Sequence, residues 1–195
     1  MTKSPTHPED ELALGQLALF LDEAKQILAA WDDYSDQHTN PIDGWPDDET
    51  AYAVRRSQLN ADTWRSYNRI RLRAKDLLAT AAAELEALPE RSVHPHWAWK
   101  TGRLQTAHEG LDVLQSQWLD LRAALPASAR PGAEEYDAPL AERNVEAWQY
   151  FDQWSLHGKA VLDIHNAWRR SQSRPTPAPV APILRLDSSA ARPRR

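Results

Sequence analysis

The placement of proline constrains this chain more than any other feature. Its fourteen prolines fall at 5 and 8, at 41 and 46, at 89 and 95, and at 126, 131 and 139; the rest sit at 175, 177, 179, 182 and 193. A proline inside a helix removes a backbone donor and clashes with the preceding turn. The stretches without it, 9–40, 47–88, 96–125 and 140–174, are therefore where long helices can form.

Each stretch carries one apolar face at helical period. In the first it is Leu17, Phe20, Leu21, Ala24, Ile27, Leu28, Trp31 and Tyr34. In the second it is Leu59, Thr63, Tyr67, Ile70, Ala74, Leu77, Ala81, Leu85 and Leu88. The third repeats almost as a heptad through Trp97, Leu104, Ala107, Leu111, Leu114, Trp118, Leu121 and Leu125. The fourth runs through Leu140, Val145, Trp148, Phe151, Trp154, Gly158, Val161, Leu162, His165 and Trp168. Start signals agree: Pro8 precedes Glu9, Asp10 and Glu11, and Asp47, Asp48 and Glu49 follow the turn cluster 40–46; acids in a first turn complement the positive helix end.

Four amphipathic helices with short links predict an all-α fold, an antiparallel up-down four-helix bundle with coiled-coil-like packing over residues 1–170. The second helix, read as unbroken from about Asp48 to Leu88, would span roughly 60 Å at about 1.5 Å per residue. It either projects from the body, breaks near Asn60, Ala61 and Asp62, or belongs to a longer coiled coil completed by a second copy. No strand and no internal repeat is expected. From residue 171 the composition turns to serine, alternating proline and arginine, which predicts a disordered basic tail over 171–195.

Composition closes several classes of function. With no cysteine the chain has no thiol nucleophile, disulfide, iron–sulfur ligation or sulfur-bound zinc. The start, Met-Thr-Lys-Ser-Pro-Thr-His-Pro-Glu-Asp-Glu, is acidic where a signal peptide is basic and then apolar. The longest apolar stretch, Leu12 to Leu21, is interrupted by Gly15 and Gln16 and is shorter than the roughly 18 residues of a membrane span. The expected location is the cytoplasm. Arginine outnumbers lysine and alanine is abundant, as in GC-rich bacterial genomes.

Catalytic chemistry finds no constellation. The histidines at 7, 38, 94, 96, 108, 157 and 165 form no Glu-x-x-His pair of the di-metal bundle kind. His108-Glu109-Gly110-Leu111-Asp112 places aspartate where a metallopeptidase helix needs its second histidine. His94 and His96 share a loop with no third ligand near, and His165, in register with Val161 and Trp168, reads as a hydrogen-bonded core residue. No Gly-x-Ser-x-Gly elbow exists, and the six glycines are too scattered for a phosphate loop. The carboxylates sit at polar helix positions. No catalytic residue, cofactor or metal is assigned, and a non-enzymatic role is favoured.

The surface is more informative. The net charge of −5 is segregated: −10 over residues 1–50, +6 over 51–75, −7 over 76–168 and +6 over 169–195. On a wheel of about 100° per residue, Arg55, Arg65, Arg69 and Arg73 share a sector of roughly 80°, away from the Leu59–Ile70–Leu77 side. Such a stripe either pairs with the acidic first helix or meets nucleic-acid phosphates. Among the nine tryptophans, Trp45 lies in a turn, Trp64 lies beside its helix's apolar face, and Trp99, two residues from Trp97, cannot share its side. These are candidates for a partner surface, because tryptophan concentrates interface energy. In the tail, Ile183, Leu184, Arg185 and Leu186 form an apolar island of the sort that folds onto a partner, or back onto its own body. The expectation is an adaptor, scaffold or accessory subunit that docks another protein or a second copy of itself through a helix face, with Arg55, Arg65, Arg69 and Arg73 steering and the tail acting as a tether. The alternative is a nucleic-acid-binding accessory protein using the arginine stripe and basic tail; a small-molecule or metal enzyme ranks third.

Overall fold

The computed structural model describes residues 8–173, and every regular element among them is helical. The elements are α1 (Pro8–His38), α2 (Glu49–Arg71), α3 (Ala74–Ala87), a single 3-10 turn (Glu90–Ser92), α4 (Trp97–Ala124), α5 (Glu134–His157) and α6 (Lys159–Ser173). Four helices were expected, the second either unbroken or broken near Asn60–Asp62; the second and fourth stretches are each broken in two.

The second breaks at Leu72–Arg73 rather than near Asn60–Asp62. There the Arg73 N–H donates to the Ile70 carbonyl at 2.8 Å, a tighter i→i+3 bond of the 3-10 kind, and Leu72 is turned out to solvent. The fourth breaks at Gly158, where an added Cβ would lie 2.7 Å from Leu21 of α1. Only the absence of a side chain allows that approach. Helix α5 also begins earlier than proline spacing suggests and carries Pro139 within it. So close to the start, the ring forgoes one intrahelical bond, to the Glu135 carbonyl.

Helix α1 packs on α2, α4 on α5, and α3 against both α4 and α6, with α1 also touching α5 and α6. The centre is aromatic. Trp154, Tyr67 and Phe20 are fully enclosed; Phe20 meets Tyr67 edge-on at 5.8 Å and Trp154 at 6.2 Å. Edge-to-face pairs add about 0.5–1.5 kcal/mol each beyond area burial. Of the residues assigned to apolar faces, Val145 is exposed and Leu121 partly so.

Polar side chains stitch the body together. The Trp64 indole N–H of α2 donates to Asn144 Oδ1 of α5 at 3.0 Å, and the Trp148 indole N–H of α5 donates to Asn60 Oδ1 of α2 at 2.9 Å. On both helices the asparagine and tryptophan are four residues apart, so the bonds are reciprocal. Tyr67 Oη lies 3.0 Å from His108 Nδ1, and burial holds the Tyr67 hydroxyl far above its usual range. His165 is buried and hydrogen-bonded through Nδ1 to Glu84 Oε1 at 2.7 Å.

Candidate protein-docking site

The sequence between α1 and α2, Thr39 to Asp48, is dense in residues that hydrogen-bond their own backbone. Asn40 Oδ1 accepts the Ile42 N–H at 2.9 Å, and Asp43 Oδ1 accepts the Trp45 N–H at 3.0 Å. These are two successive Asx turns. Gly44 takes a left-handed φ of +74°, which a side chain would disfavour. Backbone bonds close the loop, from Asn40 N–H to the Trp45 carbonyl at 2.8 Å, Gly44 N–H to Asn40 at 2.9 Å, and Asp47 N–H to His38 at 2.9 Å. Thr39 and Pro46 form an isolated bridge, and Asp48 caps α2 by accepting the Ala51 N–H at 3.0 Å.

The ends of α1 and α2 beneath this loop are fixed by aromatics. Tyr52 meets the Trp31 ring at 5.0 Å and the Tyr34 ring at 6.0 Å, and its hydroxyl lies 3.0 Å from Ser35 Oγ. His38 lies against Tyr34 with ring centres 4.4 Å apart, and the Arg55 guanidinium sits over the Tyr34 ring, 5.6 Å from its centre. On this support the loop holds two large apolar side chains in solvent: Ile42, 93% exposed, and Trp45, 66% exposed. Trp45 was identifiable in sequence as a turn tryptophan. Ile42 was not, because a lone isoleucine between proline and aspartate carries no periodic signal.

The arginine stripe has a different fate. Arg69 pairs with Glu23 of α1 at 2.9 Å and Arg73 with Glu9 at 2.9 Å, while Arg65 pairs with Asp62 on its own helix. A bond from the Ser66 hydroxyl first, and then Arg69, holds the Glu23 carboxyl below its ordinary range. Glu9 in turn raises the Arg73 guanidinium. Arg55 lies over Tyr34, so three of the four, at 55, 69 and 73, meet residues of α1, while Arg65 stays on its own helix.

Trp64 is corrected from surface candidate to core residue, only 6% exposed. The flank beside its apolar face is covered by α5: Phe151 meets the ring edge-on at 4.9 Å, and the Arg143 guanidinium sits 3.6 Å from its centroid. Burial pushes Arg143 down to about 10. Trp99 is 56% exposed and leans on His157 at 4.9 Å, away from the loop. The structure therefore does not bring Trp45, Trp64 and Trp99 together. Ile183, Leu184, Arg185 and Leu186 lie outside the described residues.

Among the described residues, no helix is long and apolar enough to cross a membrane and no three histidine or acidic side chains converge as metal ligands would. Comparison with protein-family models, curated proteins and solved structures finds no match to this chain.

Proposed function

We propose that this chain is a non-enzymatic interaction protein that docks another protein through the loop joining α1 to α2. One observation carries the reading: Ile42 and Trp45 project from a loop whose backbone is already tied down by Asn40, Asp43 and Gly44. Burying an isoleucine yields about 1.5–3 kcal/mol, and a tryptophan brings roughly 150–250 Å² of contact. A floating loop would lose much of that gain, since ordering costs about 1–2 kcal/mol per residue. Here the ordering precedes the encounter, so more of the contact energy is left for affinity. In this reading the arginines at 55, 69 and 73 hold the chain against α1, Arg65 is paired along its own helix, and the tail island at 183–186 is a second contact.

The test is affinity capture with full-length chain, wild type against an Ile42→Ser/Trp45→Ser variant, each with and without nuclease. Both positions are exposed, so the variant keeps its fold, checked by circular dichroism. Protein partners that resist nuclease and disappear from the variant are the expected result. Partners unchanged by the variant, or captured material removed entirely by nuclease, would refute the proposal; the second outcome would return nucleic acid as the ligand.

A further inference from the structure

Away from the loop, α1, α3 and α6 line a half-open cavity of about 380 Å³, within the range of small-molecule sites. Its walls are apolar, built from Leu14, Leu77 and Val161, with Trp168 as the one aromatic face. Four carboxylates line it, those of Glu9, Asp10, Asp76 and Glu84, against a single arginine, Arg73. That arginine is already held by Glu9 at 2.9 Å and Asp76 at 3.7 Å.

The Glu84–His165 pair also lines the cavity, and both side chains are more than nine-tenths buried. Each uses one atom on the other, Glu84 Oε1 on His165 Nδ1 at 2.7 Å. Glu84 Oε2 makes no side-chain hydrogen bond among the described residues. Buried polar atoms normally find partners, and the N–H of a cation would supply one to Glu84 Oε2.

We propose that this cavity binds a small organic ammonium ion with an aromatic or aliphatic body. Its N–H groups donate to the Glu84 carboxylate through Oε2, a charge-assisted arrangement. Its body lies on Leu14, Leu77 and Val161, with the Trp168 face available to the cation. The carboxylates at the mouth raise the local concentration of cations and repel anions.

The test is isothermal titration calorimetry of full-length protein with three probes of one shape: tryptamine, its neutral alcohol analogue tryptophol, and the anion indole-3-acetate. Tryptamine is expected to bind at least tenfold more tightly than tryptophol, with indole-3-acetate weaker still. Glu84→Gln keeps an acceptor for His165 but removes the charge, and is expected to weaken tryptamine at least tenfold. Asp10→Lys lies on the exposed rim and leaves the core untouched; about a threefold loss is expected, and it decides the matter should Glu84→Gln fail to fold. No tryptamine binding at millimolar concentration, equal binding of the three probes, or indifference to the substitutions would overturn the proposal.

Discussion

Gly110 offers a test in which two known effects oppose each other. It lies in the interior of α4, where replacing glycine by alanine ordinarily stabilises a helix by about 1 kcal/mol. In this protein the Tyr150 ring of α5 lies over it: an added Cβ would be 2.4 Å, 2.6 Å and 2.7 Å from three ring atoms. The ring would have to withdraw by about 1 Å to restore contact distance, and overpacking of this sort costs about 1–3 kcal/mol. The clash outweighs the propensity, so Gly110→Ala is expected to destabilise the protein by about 1 kcal/mol. That corresponds to a midpoint lower by about 2–4 °C. In a Tyr150→Ala background the obstacle is gone and the same substitution is expected to stabilise by about 1 kcal/mol. Urea denaturation of the four proteins in this double-mutant cycle gives both signs, with a coupling of about 2 kcal/mol. A Gly110→Ala change that stabilises equally in both backgrounds would show that the ring swings aside freely, and would refute this account of how α4 and α5 meet.

Replacing Asp48 with alanine removes the cap of α2 and is expected to cost about 1 kcal/mol, read as a shift in urea midpoint with unchanged slope. Glu84→Ala leaves the buried His165 without its hydrogen-bond partner and is expected to cost about 1–3 kcal/mol, whereas a Glu84→Leu/His165→Leu double change is expected to be near neutral; equal losses would argue against a buried pair. Burial lowers the affinity of His108 for a proton below its ordinary 6.5, so the unfolded chain takes up that proton first as pH falls. Stability is expected to decline once pH drops below about 6.5, and His108→Gln, followed by thermal midpoints from pH 8 to 5, is expected to flatten that decline.

Helix faces were legible because period alone specifies them. Leu17, Phe20 and Leu21, then Tyr67 and Ile70, then Leu104, Leu111 and Leu114, then Phe151, Trp154 and Val161 were all assigned to apolar sides and all are buried. The breaks were not legible. Leu72 and Arg73 carry no helix-breaking chemistry, and Gly158 sits in phase with its helix's apolar face, where its role depends on Leu21, 137 positions away in sequence. Partnership at a distance hid the rest: Trp64 is buried because α5 covers one flank of α2, and Glu84 looks like a solvated helix carboxylate until His165 is beside it. Exposure at Trp45 could be read from its turn, but the pairing with Ile42 comes from loop geometry that proline and glycine only hint at.

A single hydrogen bond between two helices is a pivot, about which they can still rock. The two indole–asparagine bonds between α2 and α5 are spaced by four residues on each helix, about 6 Å of lever arm, and together they remove that rocking. Shifting either helix by one turn would break both bonds at once, so the two bonds fix the register of α2 on α5. The breaks at Leu72–Arg73 and at Gly158 follow these two helices, and the segments beyond them are α3 and α6. These are two of the three walls of the cavity, so the register clamp and the cavity are built on different segments of the chain.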